Sequence, residues 1–272
     1  MRLNHLTIVQ SGEHGSPIVF VPGLSTQRSV WDSIAPTLAR SHRVFLVQVN
    51  GFANDDPGGN LTAGLLEGLV ADLHAFLSGE GLEQAIIIGH SFGGLVALKL
   101  ALTHPNDAGA LMIVDSLPFV GVMLSKEATA EKIEPIANDM RGSMQSRYGE
   151  PPDEDWILRV AEHNALLPNS RFRIAEWARE ADPRVAGQML YEGLTTDLRE
   201  YLSSINIPVI VLYAWSAETL SRQRADELYQ DAYQALPRIS YAAISNSGHF
   251  IMLDQPTVFA IEVCQFINSW SK

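Results

Sequence analysis

The run Ala85-Ile86-Ile87-Ile88 leads directly into Gly89-His90-Ser91-Phe92-Gly93-Gly94, and that into Leu95-Val96-Ala97-Leu98-Lys99-Leu100-Ala101-Leu102. A short β-branched run reads as a buried strand, and the longer apolar run after it reads as a helix. The residues between must therefore make a tight strand-to-helix turn with a serine at its apex. Each flanking glycine has a steric reason, because around so sharp a turn neighbouring backbone passes where a Cβ would clash. Gly-x-Ser-x-Gly in this setting is the pattern of a nucleophile elbow. The helix that starts after Ser91 points its N-terminal N–H groups and positive dipole end toward any oxyanion formed there.

The rest of the chain repeats the strand–helix theme. Strand-like runs occur at 6–9, 18–21, 44–49, 86–88, 111–114, 209–212 and 239–244, and helical patterns at 30–39, 61–77, 95–103, 225–236 and 258–270. Alternation of this kind, with strands that are almost continuously apolar, implies an α/β fold: a mostly parallel sheet covered by helices on both faces. The alternation breaks once. Residues 117–204 are polar, helix-prone and strandless, with Trp156, Trp177 and several methionines scattered through them. The expected organisation is a core of residues 1–116 and 205–272 with a helical lid of residues 117–204 inserted between two strands. Its aromatic and methionine side chains pack the lid first and line a pocket second.

Composition narrows the partners. A net charge of −12 argues against nucleic acid or an anionic membrane surface. No apolar stretch reaches transmembrane length, and the opening residues lack an apolar signal core. A single cysteine, Cys264, permits no internal disulfide and fits a reducing, cytoplasmic setting. It sits on an apolar C-terminal helix, where a buried spectator is expected.

A serine hydroxyl needs a general base, and the base needs a third group to fix its tautomer. Of the eight histidines, His249 follows the last strand-like run and precedes the C-terminal helix. In a parallel sheet that loop lies at the carboxyl edge, with Ser91. His90 must point away from its neighbour serine, and His104 sits at the end of the elbow helix. His5, His14, His42, His74 and His163 read as surface or structural residues. Two carboxylates compete for the third place. Asp115 stands immediately at the end of the 111–114 strand, and Glu218 lies in the loop after 209–212. The oxyanion requires two backbone donors. Phe92, next after the serine, supplies one; Leu24, in the Pro22-Gly23-Leu24 turn after 18–21, supplies the other.

The chain resembles the α/β-hydrolase superfamily, in its capped, esterase-like branch. The matching marks are Val21-Pro22-Gly23-Leu24, Gly89-His90-Ser91-Phe92-Gly93-Gly94, His104-Pro105 and Gly248-His249-Phe250-Ile251-Met252-Leu253-Asp254-Gln255-Pro256. The resemblance implies an eight-stranded, mostly parallel sheet with the lid inserted after the sixth strand. It also implies a serine hydrolase that needs no metal or organic cofactor and cleaves a small or medium ester. Two departures stand out. Pro22 occupies a position where the family usually has histidine, and about Ala217 falls where it usually has the triad aspartate. Some capped members carry the acid one strand earlier, where Asp115 lies. Lactone, thioester, amide or carbon–carbon bond hydrolysis on the same scaffold is the alternative, as is a receptor that kept the fold.

Overall fold

The structure is a computed structural model and describes residues 1–125 and 127–270. Residue 126 of the expected lid and residues 271–272 of the expected core lie outside the described residues. In chain order the elements are β1 Leu6–Ser11, β2 Pro17–Val21, α1 Ala35–Leu38, β3 Arg43–Val49, α2 Leu65–Gly79, β4 Ala85–His90, α3 Phe92–Thr103 and β5 Ala108–Val114. Four helices follow with no strand between them: α4 Ala130–Gln145, α5 Glu154–Asn164, α6 Pro168–Arg179 and α7 Pro183–Thr195. The sheet then resumes with β6 Val209–Trp215, α8 Arg222–Ala232, β7 Ile239–Ser245, α9 Ile251–Asp254 and α10 Pro256–Trp270.

The strand order is β1-β3-β2-β4-β5-β6-β7, with β1 antiparallel to β3 and every other pair parallel. The described residues form seven strands, not eight. Residues before β1 fold back on it through a single Arg2–Thr7 bridge and add no strand of their own. With one strand fewer, the helical segment follows the fifth strand rather than the sixth.

Along β4 the side chains divide as a two-residue period requires: Ala85 and Ile87 enter one apolar core, Ile86 and Ile88 the other. A strand buried on both faces has no polar side to show, hence the continuous apolar run. The chain proceeds from β2 outward to β3, then crosses to β4 on the other flank of β2. The loops after β2 and β4 therefore diverge, and the crevice between them at the carboxyl edge is where α/β sheets place ligands.

The inserted helices join both cores. Val185, Ala186 and Met189 of α7 belong to one; Ile157 and Ala161 of α5 and Ile174, Ala175 and Trp177 of α6 belong to the other. A polar staple adds to this. The Glu192 carboxylate of α7 accepts the N–H groups of Gly64, Leu65 and Leu66 at 2.8, 2.9 and 2.6 Å, and Gln188 Nε2 donates to it at 2.7 Å. These amides at the start of α2 have no carbonyl partner within the helix, so an anion at that end satisfies them and meets the helix dipole.

Glu192→Ala leaves those amides without their acceptor, and we expect a loss of roughly 3 kcal/mol. Gly142, in the last turn of α4, is exposed with open space at its Cβ position, so Gly142→Ala should instead gain about 0.5–1 kcal/mol. Urea unfolding of the two variants checks both signs.

Candidate active site

Ser91 has φ 54° and ψ −123°, a left-handed conformation that costs a non-glycine residue about 1–3 kcal/mol. The surroundings enforce it. Ser91 N–H donates to Val114 O at 3.0 Å, and Gly94 N–H donates back to Ser91 O at 2.8 Å. A Cβ on Gly89 would stand 2.2 Å from Gly93 O, and one on Gly93 would stand 2.2 Å from Val21 O. Neither close approach survives a side chain. Gly23 completes the set, since a Cβ there would lie 2.8 Å from Ser91 Cβ. The turn after β2 thus presses against the serine, and Leu24 is the next residue. Thr26 fixes that turn, donating its hydroxyl to Leu24 O at 2.9 Å and its N–H to Gly23 O at 3.3 Å. Among the described residues no acceptor is bound by the N–H of Leu24 or of Phe92.

His249 lies in the turn between β7 and α9. Its Nδ1 is 2.7 Å from Asp115 Oδ2. A carboxylate only accepts, so this contact places the proton on Nδ1 and leaves the Nε2 lone pair as the free base. Asp115, with φ 44°, follows β5 directly, and its Oδ1 accepts the Ala214 N–H at 2.8 Å and the Tyr229 hydroxyl at 3.0 Å. The His249 turn is tied down on three sides. Gly248 N–H donates to Asp254 Oδ2 at 2.9 Å, Phe250 N–H to Asn164 O at 3.3 Å, and His90 Nε2 to His249 O at 3.0 Å. Asp254 also accepts from Leu166 and Leu167 N–H, joining this turn to the α5–α6 connection.

Ser91, His249 and Asp115 share a cavity of about 710 Å³, walled by Leu24, Leu95, Leu117, Met189, Leu190 and Leu194 among others. Asp115, not Glu218, is the carboxylate on His249. Glu218 stands elsewhere on the cavity wall, its N–H bound to Ser216 Oγ at 3.2 Å. The sequence reading missed Tyr229, which a plain amphipathic helix pattern did not single out. His163, read as a surface or structural residue, is exposed and stands at the cavity wall. His104 caps α3, and its ring stacks on His74 at 3.7 Å, with His74 Nδ1 2.8 Å from Asp107 Oδ2. The two rings are 11° from parallel, so their in-plane lone pairs do not converge on one ion. Cys264 is only partly buried, packed against the α10 face of the core.

His90 is fully buried beside Trp31, Phe250 and His249, with centroids at 6.5, 4.7 and 4.5 Å. Burial, and secondarily the neighbouring His249, push its ionisation well below the usual histidine range. The unfolded chain takes up a proton near the ordinary pH 6.5, which the folded chain refuses. His90 therefore removes stability as pH falls below about 6.5, with a slope of up to about 1.4 kcal/mol per pH unit. Urea unfolding at pH 7.5 and pH 5 should show a shallower loss for His90→Phe than for the wild type.

Comparison with known proteins places this arrangement. A family model described as "Alpha/beta hydrolase family" matches residues 18–263. The chain is 38% identical over 258 residues to a protein of Aeromonas hydrophila named pimeloyl-[acyl-carrier protein] methyl ester esterase, covering 93% of this chain and 96% of the relative. It is 26% identical over 267 residues to the protein of that name from Vibrio vulnificus, covering 94% and 96%. Among solved structures it is similar to MenH from S. aureus, with TM-score 0.80 at 15% identity over 99% of this chain and 100% of the other. It is also similar to the enol-lactonase from Burkholderia xenovorans LB400, with TM-score 0.77 at 18% identity over 97% and 96%. Strand order, serine turn and family match agree, and the chain belongs to the alpha/beta hydrolase family.

Proposed function

We propose that this protein is a serine hydrolase that cleaves a carboxylic ester through an acyl-enzyme, with Ser91, His249 and Asp115 as its catalytic triad. The observation that carries the reading is the 2.7 Å contact of His249 Nδ1 with Asp115 in the cavity that Ser91 lines. His249 Nε2 takes the Ser91 proton as Oγ attacks the ester carbonyl, and the N–H groups of Leu24 and Phe92 receive the oxyanion. Asp115 stabilises the imidazolium without itself becoming protonated. His249 then protonates the leaving alcohol and activates the water that releases the acid. Each proton in the cycle is carried by these side chains and water, and no step calls for a metal or organic cofactor. Residues 117–204 act as the lid and residues 1–116 and 205–272 as the core that holds the triad.

The names of the relatives point to a substrate class: the methyl ester of a seven-carbon dicarboxylic acyl chain carried on a protein thioester. Leucine and methionine side chains from the sheet edge and from α7 give the cavity an apolar lining suited to such a chain. The negative charge of the whole chain gives no support to nucleic acid as a substrate. Among the described residues no helix is long and apolar enough to cross a membrane.

A fluorophosphonate probe should label Ser91, and Ser91→Ala should abolish both labelling and hydrolysis of a short-chain p-nitrophenyl ester, a fall of about 10⁶-fold in kcat. Asp115→Asn should cost about 10⁴-fold by favouring the wrong His249 tautomer. Glu218→Gln should stay within a few-fold of wild type. Labelling of Ser91 that survives Asp115→Asn but not Glu218→Gln would reverse the acid assignment. For the substrate class, kcat/KM for a methyl-pimeloyl thioester of acyl carrier protein should exceed that for p-nitrophenyl butyrate, and the opposite ranking would move the reading to a general esterase.

A further inference from the structure

Asp115 is held by a helix as well as by the sheet. Tyr229 and Tyr233 lie one turn apart at the C-terminal end of α8, so their side chains share a face. The Tyr229 hydroxyl donates to Asp115 Oδ1 at 3.0 Å, and the Tyr233 hydroxyl donates to the carbonyl of the next residue, Ser116, at 2.8 Å. Both rings are buried. Tyr229 is gripped from behind: it stacks on Tyr213 of β6 with centroids 4.5 Å apart and planes 11° from parallel. Tyr213 in turn donates to Asp226 Oδ1 at 2.6 Å, and Arg222 Nε donates to the same carboxylate at 2.7 Å. A hydroxyl fixed this firmly at a carboxylate oxygen is more than packing.

We propose that Tyr229 is a positioning residue for the reaction, setting the orientation and charge distribution of Asp115 through its hydroxyl. The inference rests on the triad reading given above. Two donors, Ala214 N–H and Tyr229 O–H, converge on Oδ1 and leave Oδ2 to His249. The carboxylate plane is thereby fixed at a residue with only two side-chain torsions. Donation to Oδ1 also withdraws negative charge from the oxygen that faces the imidazole. Tyr229 keeps its proton throughout the working range, because burial, and then the Asp115 charge, hold its ionisation well above the usual tyrosine range.

Glu162, His163 and Arg171 line the same cavity as the Asp115–His249 pair. His90 faces His249 from the end of β4 and stays neutral. Tyr213 of β6 and Tyr233 after α8 flank Tyr229, and Tyr241 of β7 lies against Tyr213, all held protonated first by burial. Arg222 and Asp226 of α8 are paired with each other, and Glu218 lies along the cavity wall.

The test is the pH profile of kcat/KM for p-nitrophenyl butyrate, from pH 5 to pH 9, in Tyr229→Phe, Tyr233→Phe and Asp115→Asn. In Tyr229→Phe the Asp115 charge acts undiluted on the imidazolium, so the acidic limb should move to higher pH. Its kcat should fall about tenfold with KM within twofold, the fold-change expected for one lost hydrogen bond to a charged group. Tyr233→Phe, which leaves the carboxylate untouched, should lower stability without moving the limb. Replacing Tyr229 with 3-fluorotyrosine keeps the ring in place and strengthens the donor, so it should move the limb the other way, and it serves if Tyr229→Phe fails to fold. A folded Tyr229→Phe with wild-type kcat and limb overturns this inference while the triad stands, provided Asp115→Asn is inactive. Full activity in Asp115→Asn overturns the triad reading and this inference with it.

Discussion

The approach of three backbone segments to within a few ångströms of each other is the constraint on which the rest of the site depends. The turn after β2, the end of β4 and the first turn of α3 meet at Gly23, Gly89 and Gly93, where any Cβ would lie less than 3 Å from a neighbouring atom. Their convergence holds Ser91 in its left-handed conformation, with Leu24 and Phe92 lining the same cavity. The strain is local, and it is sustained by the surrounding sheet, whose central strands are buried on both faces.

Sheet register accounts for the place of Asp115. His90 pairs with Val114 across the parallel β4–β5 ladder, and Val114 pairs with Leu212 on β6. Ser91 and Asp115 therefore leave adjacent strands at the same height, about 5 Å apart in the sheet direction. Asp115 N–H is still bonded to Leu212 O, and its carboxylate meets Ala214 N–H two residues further along β6. Asp115 therefore needs no loop to reach the cavity. His249 comes from β7, two strands beyond β5, through a short turn anchored by His90, Asp254 and Asn164.

The helical segment between β5 and β6 is bound to the sheet through both cores and through Glu192. Its two halves grip opposite faces, α7 on one and α5–α6 on the other, and α7 also gives Met189, Leu190 and Leu194 to the cavity wall. Asp254 and the Asn164 carbonyl couple the His249 turn to the same segment. Movement of α5 and α6 would therefore be felt at the histidine.

The sequence alone determined the type of most elements, although the helix read over 30–39 forms only a 3-10 turn at Arg28–Trp31 and the short α1. Continuous apolar runs such as Ile86-Ile87-Ile88 can be satisfied only in a strand buried on both faces, and glycines flanking a serine between strand and helix dictate the sharp turn. Its candidates Ser91, His249, Leu24 and Phe92 all prove to line or adjoin one cavity, because loops at the carboxyl edge of a parallel sheet lie together. The tertiary structure decided what depends on register and on side chains meeting from distant segments. It brought Asp115 rather than Glu218 to His249, through the alignment of β4, β5 and β6, and it reduced the sheet to seven strands. It also placed Tyr229 beneath the carboxylate from 114 residues away and set Glu192 against the start of α2 from more than 120 away. No local pattern carries such contacts, since a hydrogen bond between remote residues exists only once the chain has chosen which strands are neighbours.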